Sequence, residues 1–412
     1  MKPSCNYSWS LSRAPADPLA PYINCFIGLL HNQGYAQNSA HLKVRLAVDF
    51  SHWLKQKGIS LHEITTAHIT HYLQYRAHHQ RPRSDDTYTL KQLLILLRQK
   101  GAIAAEEEPG EITPIGQLTE EFALYLRQDR GLVTVTIDHY VLFIRRFLAA
   151  HFSNDKPLQL SLLCAADIVG FVQDQAKCLH LKRAKVMTTA LKSFLRYARY
   201  RGDIKIDLAA AVPTVANWSM TSIPRSISAE HVQAMLAICN RQTAMGCRDY
   251  AVLLLLARLG LRAGEIVALE LEDIDWEAGF LKVSGKRGEE CPLPIPVEVG
   301  EAIAAYLQEG RPHSTSRRVF LRCKAPIRGF RGSSAIGSIV RHTLERAAID
   351  LPRKGAHQFR HGLACELLRQ GASLAEIGEL LRHRSPNTTA IYAKVDLVAL
   401  RALALPWPGG VQ

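Results

Sequence analysis

Along the first 205 residues, apolar side chains recur at three- and four-residue spacing, in 23–30, 42–54, 90–97, 122–126, 141–148 and 190–197. That is the period of a helix with one buried face, so this half of the chain is expected to be helical throughout. A faint internal echo runs through it. Leu90-Lys91 followed by Gly101 and Ile103 matches Leu191-Lys192 followed by Gly202 and Ile204 at an offset of 101, while Phe26 and Phe122 are offset by 96. Two related units of four or five helices, roughly 16–105 and 115–204, would produce the echo, as would chance likeness between amphipathic helices. Between them, 104–116 carries three consecutive glutamates and Pro109-Gly110, the punctuation of a linker.

A second linker, 205–227, is interrupted by Pro213 and Pro224, and beyond it the period changes. Ser228 is placed to cap a helix reaching about Cys239, with Glu230 in its first turn. Residues 248–259 form a more apolar helix that Gly260 should end. Three short extended segments follow, 273–276, 280–284 and 291–295, separated by Gly279 and by 285–290, which reads as two hairpins. Helical spacing returns at 297–308, 333–348, 358–369, 374–381 and from Thr388 onward. The expected result is a helical domain carrying one small antiparallel sheet.

Composition narrows the function. The longest apolar run, 250–257, is stopped by Arg258 and falls far short of the roughly 20 residues of a spanning helix, which excludes a membrane protein. Residues 1–15 have no apolar core of signal-peptide length, so no export signal is read. The nine cysteines are an odd count with no C-x-x-C pair, which argues against a disulfide scaffold or zinc module and for a reducing cytosol. The net charge of +14 is spread along the chain, as +4 over 1–110, +4 over 111–220 and +6 over 221–412. A chain that is basic throughout suits a protein that surrounds a polyanion. In the last stretch 20 of 25 basic residues are arginine, whose planar fork grips phosphate with two hydrogen bonds.

The reactive candidates lie in that stretch. His357-Gln358-Phe359-Arg360-His361 opens a helix with two histidines four apart. A zinc site of that spacing needs a glutamate where Gln358 stands and a third ligand, and neither is present in the motif. A phosphate site fits better. His357 and Arg360 share a helix face, His383 lies in Leu381-Arg382-His383, and Tyr392 in Ile391-Tyr392-Ala393. Upstream, Arg262 follows a helix end in Gly260-Leu261-Arg262, and Lys286 sits at a hairpin tip in Gly285-Lys286-Arg287-Gly288. Two arginines, a lysine, two histidines and a tyrosine are able to cleave a phosphodiester without a metal.

In order and spacing these residues resemble the tyrosine recombinase (phage integrase) family, whose Arg, Lys, His-x-x-Arg, His, Tyr pattern falls on Arg262, Lys286, His357, Arg360, His383 and Tyr392. The spacings of 24, 23 and 9 for Arg262–Lys286, Arg360–His383 and His383–Tyr392 match the family's. The resemblance covers about 225–400 strongly and 115–204 as the helical unit that usually precedes the catalytic domain. Two positions depart from the pattern: Arg382 stands where the family has glycine, and Phe359 where it has leucine. The likeness implies a mainly α fold, with N-terminal helical DNA-binding (SAM-like) units followed by a mixed α+β catalytic domain with a small antiparallel sheet. It divides the chain into an arm or duplicated core-binding-like unit (1–110), a core-binding domain (111–204), a linker (205–227), the catalytic domain (228–396) and a docking tail (397–412).

It also implies roles. Tyr392 would be the nucleophile and His357 the acceptor of its proton. Arg262 and Arg360 would neutralise the non-bridging oxygens, worth about 3–4 kcal/mol per donor, and His383 would hydrogen-bond one of them. Lys286 would protonate the departing 5′ oxygen, and Glu265 would orient its surroundings. The product is a 3′-phosphotyrosyl bond, formed without metal, ATP or other cofactor and reversed by another duplex's 5′ hydroxyl. The partners are double-stranded DNA and sister protomers, in a homotetramer or a heterotetramer with related recombinases, joined by the C-terminal tail with Trp407 as anchor. The compartment is the cytoplasm, at the nucleoid, and the setting an integrase or transposase of a mobile element. A relaxing enzyme of the type IB topoisomerase kind and a DNA-binding accessory subunit without catalysis are the competing readings. DNA contact is expected from Lys177, Lys182, Arg183, Lys185, Lys192, Arg196 and Arg199. Leu181, Val186, Leu191, Phe194 and Leu195 between them are expected to pack inward. His361 and His342 are read as structural or DNA-facing.

Overall fold

The computed structural model describes residues 17–104, 113–152, 158–215, 226–285, 290–383, 385–395 and 400. Among these, helices dominate and one three-stranded antiparallel sheet is the exception. The chain divides into two compact units, residues 105–219 and the remainder.

The smaller unit is built from α5 (Pro114–Gln128), α6 (Thr134–His151), α7 (Ala165–Cys178) and α8 (Leu181–Arg201). Their apolar faces close on Phe122, Phe143, Phe147, Phe171 and Phe194. Thr113 caps α5 by accepting a hydrogen bond from the Gly116 N–H at 3.1 Å, the expected use of a threonine before a Pro-led helix. Gly202, at φ +86°, ends α8 in the left-handed conformation that glycine adopts without penalty.

The other unit holds two cores. The first joins α1 (Ala20–Asn32), α2 (Gln37–Gln56), α3 (Thr66–Ala77) and α4 (Asp86–Gln99) around Phe26, Phe50, Trp53 and Tyr72. This group touches the rest of its unit at the turn after α1. There the Ile327 N–H donates to the Gln33 carbonyl at 2.8 Å, and Gly34, at φ +74°, leaves room for Ile327, which a Cβ would meet at 2.6 Å.

The second core organises the C-terminal part. Its elements are α9 (Ala229–Ala237), α10 (Ala244–Arg258), α11 (Ala263–Ala268), β1 (Ile274–Asp275), β2 (Phe280–Ser284), β3 (Glu290–Pro294), α12 (Val297–Ala305), α13 (Ser334–Arg346), α14 (His357–Arg369), α15 (Leu374–Leu380) and α16 (Pro386–Thr389). Ser228 caps α9, accepting from the His231 N–H at 3.3 Å. From Ala251 to Leu256 α10 is buried on every side, so it runs through the middle of this core as an all-apolar helix must. The sheet has the order β1-β2-β3, with Leu281 opposite both Ile274 and Leu293. Alternate residues Leu281 and Val283 face the core, the period-two pattern of a sheet wet on one side.

Candidate active site

Three chain segments meet at one turn. The first is the end of α10, where Gly260 takes φ +56° and a Cβ would lie 2.8 Å from Leu381 Cδ2. Only glycine combines that backbone with that close approach. The second is α14, which carries His357, Arg360 and His361. The third is the end of α15, where Arg382 takes φ +53°. The Arg382 N–H donates to the Glu379 carbonyl and the His383 N–H to the Gly378 carbonyl, at 2.9 and 2.8 Å. This is a Schellman stop, with an arginine at the position glycine usually fills.

The two arginines of the motif meet on successive carbonyls of that turn. Arg360, 1% exposed, donates to the Gly260 carbonyl at 2.7 Å and to the Leu381 carbonyl. Arg262 donates to the Arg382 carbonyl at 3.2 Å and to Glu265 at 2.6 Å. Glu265 also accepts the Arg262 backbone N–H at 2.8 Å, closing a capping box at the start of α11. Burial, then the neighbouring Arg262 and Arg382, lower the Arg360 pKa to about 10. Three guanidinium groups thus gather around a single carboxylate, a cluster short of negative charge.

Tyr392, 1% exposed, lies in the one-turn segment after α16. Its hydroxyl is 2.9 Å from His361 Nδ1, and its ring stacks parallel to that of His383 at 6.4 Å. Burial raises the phenol to about 12, against the pull of Arg360 in the opposite direction. His361 is lowered to about 4 by burial first, then by His357, Arg360 and Arg353. His383 is likewise lowered to about 4 by burial, followed by Arg360 and Arg262. Both rings are therefore neutral at pH 7. His383 Nδ1 is 2.7 Å from the Thr389 hydroxyl, which fixes its ring and leaves Nε2 as its other nitrogen.

The residue on the phenol is thus His361, where the sequence reading had placed His357. His357 is exposed, and its ring packs edge-on against His361 at 4.4 Å between centroids. His361 lies one turn beyond His357 on the same face of α14, and it is this turn that meets the tyrosine. Thr389 was also missed; its position six residues after His383 is the only trace of it in the sequence. Phe359 is 1% exposed and belongs to the main core. Lys286 and the tail with Trp407 lie outside the described residues. Among the described residues, no three His, Cys, Asp or Glu side chains gather as a metal-binding group, and no helix is long and apolar enough to cross a membrane.

The expected DNA-facing residues occupy the smaller unit. Lys182, Arg183, Lys185, Arg196 and Arg199 are exposed on α8, Lys192 is half-buried there, and Lys177 is exposed on α7. Lys177 pairs with Asp174 at 2.9 Å and Arg199 with Asp207 at 3.3 Å. Two apolar positions differ from expectation: Leu181 and Val186 are 48% and 37% exposed. The buried stripe of α8 runs through Ala184, Met187, Ala190, Leu191, Phe194 and Leu195, which turns Leu181 and Val186 onto the basic side.

The sequence profile of the phage integrase family matches residues 225–397. A putative integrase/recombinase, y4rA, of Sinorhizobium fredii is 53% identical over 413 residues, covering 100% of both chains. The chain belongs to the phage integrase family. A tyrosine recombinase XerD of Listeria monocytogenes is 27% identical over 70% of this chain and 97% of its own. Among solved structures, the XerH site-specific recombinase in a post-cleavage complex with palindromic difH substrate shares the fold, at a TM-score of 0.55 and 18% identity over 82% of this chain and 94% of that one. The integrase described here is accordingly a site-specific recombinase, an enzyme that cleaves and rejoins DNA strands.

Proposed function

We propose that the recombinase performs strand cleavage with Tyr392 as nucleophile in the pocket formed by Arg262, Arg360, His361 and His383. The observation that carries this reading is the Tyr392 hydroxyl, held 2.9 Å from a neutral histidine beside the Arg360 guanidinium. In the tautomer with hydrogen on Nε2, His361 Nδ1 accepts the phenol's hydrogen bond and is ready to take the proton itself. Tyr392 Oη then bonds to phosphorus as the P–O5′ bond breaks, and the 5′ oxygen takes its proton from Lys286. Arg262 and Arg360 bind the non-bridging oxygens, on which negative charge accumulates. When Thr389 donates to His383 Nδ1, the His383 Nε2–H is the third donor to those oxygens. The phosphotyrosyl bond conserves the energy of the broken ester, so a 5′ hydroxyl of a second duplex reverses the step with strands exchanged.

The exposed basic face of α8 supplies phosphate contacts outside the reacting centre, through Lys182, Arg183, Lys185, Lys192, Arg196 and Arg199, with Lys177 nearby on α7. A tetramer on two duplexes, assembled through the residues after 396 and serving a mobile element, completes the reading. The test is a duplex built from inverted repeats flanking the coding region and nicked beside the target phosphate, so that the cleaved 5′ fragment diffuses away. The wild-type chain is expected to trap a covalent adduct and to join it to a second duplex. Tyr392→Phe is expected to bind that DNA with unchanged affinity and form no adduct. An adduct in Tyr392→Phe refutes the assignment.

A further inference from the structure

We infer that Arg382 is a positioning residue of the cleavage reaction, which sets the Arg262 guanidinium by clamping Glu265 from the opposite side. The inference rests on the assignment of Arg262 as a phosphate ligand. Glu265 is 8% exposed in its side chain and lies between two guanidinium groups. Arg382 Nη2 donates to its Oε2 at 2.9 Å, while Arg262 Nη1 donates to its Oε1 at 2.6 Å. Arg262 is 42% exposed in its side chain, so its own packing does not fix it. What holds its head group is this carboxylate and the Arg382 main-chain carbonyl, which it reaches at 3.2 Å. Both restraints depend on residue 382, one through its side chain and one through its backbone.

The backbone at this position argues that the side chain is there for a purpose. At φ +53° an arginine is disfavoured where glycine is free. The left-handed turn aims the carbonyls of Leu381 and Arg382 at Arg360 and Arg262, and glycine would hold that turn equally well. The arginine adds a second partner for Glu265. Without it, Glu265 Oε2 keeps only the Arg262 backbone N–H, and the carboxylate that orients the Arg262 guanidinium is held less tightly. Arg382 is also 13% exposed in its side chain, and its Nε is buried with no hydrogen-bond partner among the described residues. Its head group is thus held by the Glu265 carboxylate and not by solvent.

A structural role and a positioning role predict opposite results for Arg382→Gly. If the residue serves only the fold, glycine relieves the backbone and cleavage is unchanged. If it positions Arg262, the variant is at least as heat-stable as the wild type yet cleaves about 10- to 100-fold more slowly. The full chain is used on the nicked duplex described above, with single-turnover adduct formation, DNA affinity and melting temperature measured in parallel. Arg382→Lys, which keeps the charge but not the fork, is expected to recover part of the rate. Arg382→Gly combined with Glu265→Gln is expected to be no slower than Glu265→Gln alone, because both substitutions break one chain of contacts. A wild-type cleavage rate in Arg382→Gly, or fully additive losses in the double variant, overturns the proposal. Tyr392→Phe in the same series separates the two failures: an adduct there sinks the assignment of the nucleophile, whereas Arg382 is judged only against an adduct that requires Tyr392.

Discussion

Replacing His361 with leucine, which keeps apolar bulk beside the tyrosine, asks whether the neutral ring on the phenol is the base. With the phenol at about 12, about one Tyr392 in 10⁵ is ionised at pH 7, equivalent to about 7 kcal/mol that must be found before attack. A positioned base typically contributes about 10²–10⁴-fold, so His361→Leu should slow adduct formation by at least about a hundredfold at pH 7. The shape of the pH profile is the sharper readout. In the wild type the base titrates at about 4, so it is fully deprotonated from pH 6 upward and the rate should be nearly level between 7 and 9.5. In His361→Leu the nucleophile must ionise to solvent, and the rate should climb about tenfold per pH unit, recovering about 300-fold over the same span. Single-turnover trapping on the nicked duplex, quenched in detergent and resolved on a gel, gives both profiles. A level profile in His361→Leu, or a rate within about threefold of wild type, refutes the role of His361. A steep profile in His357→Leu alone would return the role to His357.

Other perturbations test separate parts of the account. Lys286→Ala should lose cleavage on an ordinary duplex and regain it on one whose bridging 5′ oxygen is replaced by sulfur, because a thiolate leaves without protonation; equal losses on both substrates would remove Lys286 as the acid. Gly260→Ala places a Cβ 2.8 Å from Leu381 in a left-handed backbone, at a cost of about 2–5 kcal/mol; a melting temperature within about 2 °C of wild type would contradict the packing at this turn. His361 and His383 sit at about 4 in the folded chain against the ordinary 6.5. The unfolded chain therefore takes up their protons first, and stability is whole above about pH 6.5 and declines as the pH falls toward 4. His383→Asn should make that decline shallower, and an unchanged slope in calorimetric melts would contradict the burial of His383. Alanine at Lys182, Arg183 and Lys185 together should reduce the slope of log affinity against log salt by up to about 2.7; an unchanged slope removes this face of α8 from the DNA interface.

Much of the fold was legible because its signals are local. Ser228 and Gly260 mark helix ends by hydrogen-bonding and backbone rules that need no tertiary information, and the strand 280–284 was placed to the residue. The residues that gather at the turn were legible as types and spacings, since an ordered set of six is improbable by chance. What failed to show depended on rotation and on partners distant in the chain. Four-residue spacing puts His357 and His361 on one face, yet which of them meets a tyrosine 31 residues later is set by how α14 packs against the segment after α16. Leu181 and Val186 are apolar, but the stripe of α8 that meets the core runs through Ala184 and Met187, which is set by how the helix packs and not by its own sequence. Arg382 showed in the sequence only as a departure from the family's glycine; its left-handed backbone and its bond to Glu265, 117 residues away, emerge only from the folded chain.

The electrostatics of the free enzyme carry a consequence for when cleavage can begin. Around the turn, Arg262, Arg360 and Arg382 gather near one carboxylate, and Arg360 is lowered to about 10, by burial first and then by Arg262 and Arg382. The neighbouring cations add to the cost of burial, and a bound phosphodiester would offset that part with opposite charge. Tyr392 feels the pull of Arg360, but burial dominates and raises it to about 12. The cluster therefore combines an excess of positive charge with a phenol that burial holds protonated. On the proposed reading, a scissile phosphate would supply the negative charge and present an electrophile to the phenol. On the proposed reading, this positive charge favours a bound phosphate and, as negative charge grows on its oxygens, the phosphorane over the ground state.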